Sequence, residues 1–173
     1  VVYTRSLALE QSALLAAQQI VPRNAAGDYD PVTGRIAVNG IGMSTARNVQ
    51  QVIRSQINTN NAVWQWDASV KWVTAAQSGK TANFWDEPTD VTWDNGSGIY
   101  FNSLAGNGVT AAQVQVMWIV LAETQPSGPD GTVPLSQLQA VVAQAKLWNP
   151  NLALVYVSEH PTTLYSADPA NPV

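Results

Sequence analysis

Short apolar runs alternating with helix-like segments constrain the fold of this chain more than any other sequence feature. The runs occupy residues 35–39, 70–75, 113–121 and 152–157. Strands that alternate with helices form βαβ units, whose right-handed crossovers make the strands parallel. The pattern therefore predicts a single α/β domain over residues 1–173, built around a parallel sheet of about four strands.

Helix-like patterns lie between these runs. Residues 6–20 carry a moderate apolar stripe, and we expect Ser44 or Thr45 to cap the helix that follows the first strand. The stripe of that second helix consists of Val49, Val52, Ile53 and Ile57. Further helices are predicted at 99–104 and 135–148, a turn-rich link at 24–34, a loop at 83–98 and an irregular, proline-rich tail at 159–173.

A glycine-rich corner ends the first strand. Residues 34–44 read GRIAVNGIGMS, so the strand turns into the next helix through glycines and reaches Ser44. Such a turn holds a serine hydroxyl above the end of a sheet, beside the unpaired N–H groups of the helix. Hydrolases hold a nucleophile in this way, so Ser44 is a candidate nucleophile, and a simple helix cap is the alternative.

The composition excludes several classes of function. The net charge is −4 without a basic block, which argues against nucleic acid and anionic membranes as partners, and no apolar run could span a bilayer. Cysteine is absent and His160 is the only histidine, so we expect no disulfide, no multi-histidine metal centre and no cofactor. Charged residues make up only 12%, about half the usual share, which favours a secreted protein or an assembly subunit.

Several segments, in order from Leu14 to Ser158, resemble an uncharacterised branch of the SGNH/GDSL-type hydrolases. They are AAQQIVPRNAAGDYDPVTGRI, IGMS, AAQSGKTA, the loop with Trp85 and Trp93, GVTAAQVQVMWIVLAETQP and NPNLALVYVSE. The resemblance implies a flavodoxin-like three-layer α/β/α sandwich with strand order 2-1-3-4. It also implies that Ser44 is the nucleophile and that the backbone N–H groups of Gly79 and Ser44 hold the oxyanion.

The chain departs from that family at three places. Thr45 replaces the asparagine that usually follows GMS, and Val120 replaces a lysine on the third strand. The family's Asp-x-x-His segment lies beyond the last residue of this sequence, so we expect the domain to be incomplete at its C-terminal end. His160, with Glu159 to orient it, is then the candidate base, and a solvated loop histidine is the alternative.

Other patterns are open to two interpretations. Trp85 and Trp93 are expected in an exposed loop that binds substrate, although loop tryptophans can also cover a core. GIGMST resembles a dinucleotide fingerprint, but the second strand does not end in the acidic residue that this motif requires. Clustered carboxylates could bind calcium, although a solvated acidic loop fits their spacing better: Asp28, Asp30, Asp86, Glu87, Asp90 and Asp94, with Asn95.

The sequence supports two functions. The first is a secreted SGNH-type esterase that cleaves acyl esters, with esters on carbohydrate as one substrate class. The second is a non-catalytic structural or interaction subunit, which would assemble into a homo-oligomer or filament through an open sheet edge and a low-charge surface. The sequence alone does not decide whether the chain is an enzyme.

Overall fold

The sheet is parallel throughout and has the predicted strand order. The computed structural model describes residues 6–59, 67–88, 90, 92–94, 98–121 and 133–158. Within these residues the strands pair in the order β2-β1-β3-β4, and all three pairings are parallel. The strands are β1 (Ile36–Gly42), β2 (Val70–Thr74), β3 (Val114–Val120) and β4 (Leu154–Ser158). The predicted three-layer α/β fold is confirmed.

Helices connect and flank these strands. They are α1 (Leu7–Ala17), α2 (Ser44–Thr59), α3 (Ala82–Trp85), α4 (Ile99–Ala105), a 3₁₀ turn (Ala111–Gln113) and α5 (Leu135–Trp148). The short helix α3 lies where the sequence predicts a loop. Its first turn is closed by a bond from the Phe84 N–H to the Thr81 carbonyl, at 3.0 Å.

One face of the sheet carries the main core. Because side chains alternate between the two faces, the buried residues Ile41, Val73 and Met117 project to the same side. They pack against helices α4 and α5, which contribute Tyr100, Leu104, Val141 and Ala145. The helix that follows β3 thus lies on the face opposite α2, as right-handed crossovers running in opposite directions require.

The other face packs against α2, which lies over β1 and β2. The predicted apolar stripe of α2 is partly wrong, because Val49 and Val52 are exposed. The residues of α2 that are fully or nearly fully buried are Ala46, Gln50 and Ile57. The buried side of the helix therefore includes a glutamine, which an apolar pattern does not select.

Helix α1 is present where it was predicted, but it contributes no residue to the core. None of its residues is buried, and Leu7 is 76% exposed. Leu9, Leu14 and Leu15 are also exposed, and the helix lies beside β4. The leucines of α1 therefore form an apolar surface.

Candidate active site

Ser44 lies at the crevice where doubly wound α/β proteins bind ligands. Strand β1 lies between β2 and β3 in the sheet. The connection after β1 leads to β2 on one side, and the later strands β3 and β4 are added on the other side, so the direction of strand addition reverses at β1. Ligands bind beyond the carboxyl ends of the strands at such a reversal. Strand β1 ends at Gly42, and Ser44 opens the following helix. The predicted position of the candidate nucleophile is thus found at this edge.

Gly42 lets the strand end approach both β3 and α2. Its φ is +150°, and a Cβ there would lie 2.2 Å from the Val120 carbonyl oxygen and 2.7 Å from the Ala46 Cβ. Only glycine accommodates this backbone and this spacing. The glycine therefore sets where the chain turns and where Ser44 follows.

Met43, rather than Ser44 or Thr45, occupies the N-cap position of α2. Its carbonyl accepts the first helical hydrogen bond, from the Arg47 N–H at 2.8 Å. The cap expected at Ser44 or Thr45 is therefore wrong by one or two positions, and Ser44 is the first residue inside the helix. A methionine side chain has no oxygen to offer the N–H groups of the first turn.

The loop after β2 brings Gly79 to the same edge. Backbone bonding to β1 continues beyond β2, since the Gln77 N–H donates to the Gly42 carbonyl at 3.0 Å. Ser44 and Gly79 each lie two residues beyond this bonded pair. Gly79 has a φ of +76° in a turn closed by the Lys80 N–H, which donates to the Gln77 carbonyl at 3.2 Å.

Nothing crowds Gly79 at this edge of the sheet. A Cβ at Gly79 would meet nothing within 4 Å, and its N–H has no hydrogen-bond acceptor among the described residues. Helix α3 holds the turn in place, because the Lys80 ammonium lies 3.9 Å above the Phe84 ring and the Trp85 indole N–H donates to the Lys80 carbonyl at 3.3 Å. A polar group bound at this edge could thus reach the Gly79 N–H.

Trp85 and Trp93 do not form an exposed binding surface. Both side chains are fully buried in the core, and their rings make an edge-to-face contact with centroids 5.3 Å apart. The Trp93 indole N–H donates to the Trp85 carbonyl at 2.8 Å. The expectation that these two residues bind substrate from an exposed loop is therefore wrong.

The segment of these tryptophans was misjudged because its sequence is rich in Asp, Asn and Thr. The structure buries the Trp85 and Trp93 side chains, while Asn83, Glu87 and Asp94 are exposed. Successive ring contacts connect this segment to α5, through Trp85, Trp93, Tyr100, Phe101 and Trp148. The indole N–H groups of Trp85 and Trp93 donate to backbone carbonyls, which offsets the cost of burying them.

The acidic residues do not form a metal site in the described part of the chain. No group of three or more His, Cys, Asp or Glu side chains lies close enough there to hold a metal ion. Asp90 accepts the Thr92 N–H at 2.9 Å and so shapes its own turn. Asp30 is bonded in the same way, and the Thr33 hydroxyl and neighbouring N–H groups hold the pKa of its carboxyl below the ordinary value.

Gln50 is the residue at this edge that the sequence analysis missed. It is fully buried, and its side chain lies directly over Gly40 of β1. The signal that could have found it is positional, because Ala46, Gln50, Ile53 and Ile57 recur at helical spacing along α2. The candidate base His160, its neighbour Glu159 and the calcium candidate Asn95 lie outside the described residues.

Comparisons with known proteins add no family to these observations. No family model matches the chain, no curated protein matches it significantly, and no solved structure matches it significantly. Among the described helices, none combines the length and the apolar character needed to cross a bilayer.

Proposed function

We propose that this chain is an SGNH-type serine hydrolase that cleaves acyl esters, with Ser44 as its nucleophile. The observation that carries the proposal is the position of Ser44 at the start of a 16-residue helix, beyond the end of β1. That position is the ligand crevice of this class of sheet. The sequence resemblance to the SGNH/GDSL-type hydrolases supports the same assignment.

The proposed reaction proceeds in two steps. The Ser44 hydroxyl oxygen attacks the ester carbonyl carbon, while its proton passes to a base. The tetrahedral intermediate then collapses, the alcohol leaves with that proton, and an acyl group remains on Ser44. Water attacks the acyl group in the second step, releases the carboxylic acid and returns the proton to the serine.

Two backbone donors would stabilise the developing negative charge. The N–H groups of Ser44 and Gly79 lie on neighbouring strand ends, equally far beyond the bonded pair Gly42 and Gln77. Donors fixed before the reaction stabilise an oxyanion without any cost of reorientation. The dipole of α2 adds to this effect, because the positive end of a helix lies at its N-terminus.

The base is proposed to be His160, the sole histidine of the sequence. If His160 takes the serine proton, His160→Asn lowers kcat, and the wild-type rate rises with pH as the imidazole becomes neutral. Full activity in His160→Asn would mean that another group accepts the proton.

The proposal predicts that Ser44→Ala abolishes hydrolysis of p-nitrophenyl acetate. Removing a serine nucleophile costs a factor of about 10⁴ or more in kcat. Ser136→Ala is the matched control, because Ser136 is an exposed serine in the first turn of α5. We expect Ser136→Ala to keep the wild-type rate. Equal rates in the wild type and Ser44→Ala would contradict the proposal.

One observation favours a second function, that of an assembly subunit. Among the described residues β4 pairs only with β3, and Tyr156 and Val157 on this strand are 57% and 43% exposed. The strand reads LVYVS and carries neither a charge nor a proline, which are the usual protections of an edge. The exposed leucines of α1 lie beside it.

An assembly through β4 predicts a specific effect of charge. Tyr156→Lys would place an ammonium on the strand and reduce the mass measured by light scattering to that of the monomer. Tyr29→Lys serves as the control, because Tyr29 is similarly exposed, at 63%, but lies in the link before β1. A wild-type chain that is monomeric at high concentration would contradict the assembly function.

A further inference from the structure

Helix α2 contacts β1 through two matched pairs of residues. Ala46 faces Gly42, and Gln50 faces Gly40. Four residues of a helix rise about 6 Å, and two residues of a strand span about 6.6 Å. The spacing of the two pairs therefore agrees, so α2 runs back along β1 with glycines beneath its two contact residues.

The Gln50 contact is unusually close. A Cβ at Gly40 would lie 2.2 Å from Gln50 Cδ, 2.4 Å from Oε1 and 2.6 Å from Nε2. The glutamine amide thus fills the space that a side chain at position 40 would occupy. Its Nε2 donates to the Ile41 carbonyl at 3.4 Å, and its buried Oε1 has no hydrogen-bond partner.

We infer that Gln50 is a positioning residue, whose buried amide joins α2 to β1 over Gly40 and so fixes Ser44 above the strand end. This inference rests on the proposed role of Ser44 as the nucleophile. Gln50 lies six positions after Ser44, a distance of about 9 Å along a helix. A movement of α2 at the Gln50 contact therefore moves the first turn of the helix with it.

The chemistry of the side chain supports a role beyond packing. A buried glutamine with one long hydrogen bond and an unpartnered oxygen stabilises a fold less than an apolar side chain of similar shape. Packing alone would thus be served at least as well by methionine. What glutamine adds is a bond to the backbone of β1, one residue before the corner at Gly42.

The test compares Gln50→Met with Gln51→Met. Gln51 is the next residue of α2 and is exposed, so it controls for the loss of a glutamine from this helix. Turnover of p-nitrophenyl acetate is measured per site titrated with a fluorophosphonate, and hydrogen exchange is followed at the Arg47 amide, which bonds to Met43. Thermal unfolding is recorded for both variants.

We expect Gln50→Met to lower kcat roughly tenfold, with KM within about twofold, because small misplacements of a nucleophile slow the chemical step. The Arg47 amide should exchange roughly tenfold faster, while the unfolding midpoint stays the same or rises. Gln51→Met should match the wild type in all three measurements. If Gln50→Met does not fold, Gln50→Ala replaces it.

Equal kcat and equal exchange in Gln50→Met and Gln51→Met would overturn the inference. A fall in the unfolding midpoint with kcat per titrated site unchanged would also overturn it, because Gln50 would then serve packing alone. Absence of turnover in the wild type would contradict the proposed esterase instead. The exchange of the Arg47 amide would still decide whether Gln50 holds the start of α2.

Discussion

Tyr100 combines a buried phenol with a polar partner at the centre of the main core. Its O–H donates to the Asn149 side-chain oxygen, and the Asn149 amide donates to the Ala145 carbonyl at 2.7 Å. Burial raises the pKa of the Tyr100 phenol above its ordinary value, and the neighbouring Asn39 and Asn149 side chains oppose this only in part. The folded chain therefore keeps this proton at pH values where the unfolded chain releases it.

This difference predicts that alkaline conditions destabilise the fold. An unfolded tyrosine titrates near pH 10, so above about pH 10 the unfolded state binds fewer protons than the folded state. The free energy of unfolding should then fall by about 1.4 kcal/mol for each further pH unit. Urea unfolding of the wild type at about pH 9 and pH 11 measures this slope.

Two variants separate Tyr100 from the other tyrosines. Tyr100→Phe should lose the alkaline slope, although it also lowers stability at neutral pH by leaving Asn149 without its donor. Tyr29→Phe, at an exposed position, should keep the slope. An unchanged slope in Tyr100→Phe would show that other groups control the alkaline transition.

Single residues of the candidate site were predictable where the backbone requires a particular residue type. Glycines around a serine at a strand end are visible in a sequence, and this signal located Ser44. Gly79 was located only through the family resemblance. Gln50 was missed because a polar residue is expected on the outside of a helix, although its position on the buried side follows from helical spacing. Trp85 and Trp93 were misplaced because the polarity of their neighbours indicates a loop and does not tell which side chains turn inward.

At the scale of secondary structure, the strands were predicted well because each is a short run of β-branched and other apolar residues bounded by turns. Strand β1 nevertheless continues to Gly42, beyond the predicted end at residue 39. Its extra residues are Gly40, Ile41 and Gly42, of which the two glycines contact α2, and no strand propensity reports such a contact. Helix α1 shows the opposite case, because the sequence predicts the helix itself but not the exposure of its leucines.

The close contact between β1 and α2 at Gly42 predicts that a methyl group there lowers the free energy of unfolding substantially. Gly42→Ala would press against the Val120 carbonyl and the Ala46 side chain. We expect a loss of about 3 kcal/mol or more in the free energy of unfolding, because crowding and an unfavourable φ act together. Urea titration followed by tryptophan fluorescence measures this loss.

Gly108→Ala is the control that measures the cost of a positive φ for alanine without crowding. Gly108 also has a positive φ, +66°, but a Cβ there meets nothing within 4 Å. Its replacement should cost only about 1–2 kcal/mol. If both variants lose the same amount, the packing of α2 on the strand end contributes nothing measurable.

For the whole molecule, the strand order followed from the alternation of strands and helices together with the family resemblance. Handedness then fixes which face each helix covers, and the reversal at β1 fixes where a ligand can bind. The candidate base could not be placed in the same way, since His160 lies outside the described residues. The two proposed functions use different regions, namely the crevice at Ser44 and the edge at β4.

Covalent labelling tests the central claim most directly. A fluorophosphonate reacts with an activated serine, and peptide mass spectrometry then identifies the modified residue. We predict one adduct per chain, on Ser44, which is lost in Ser44→Ala and kept in Ser136→Ala. A folded wild-type chain that carries no adduct, or one whose adduct maps to another residue, would contradict the account.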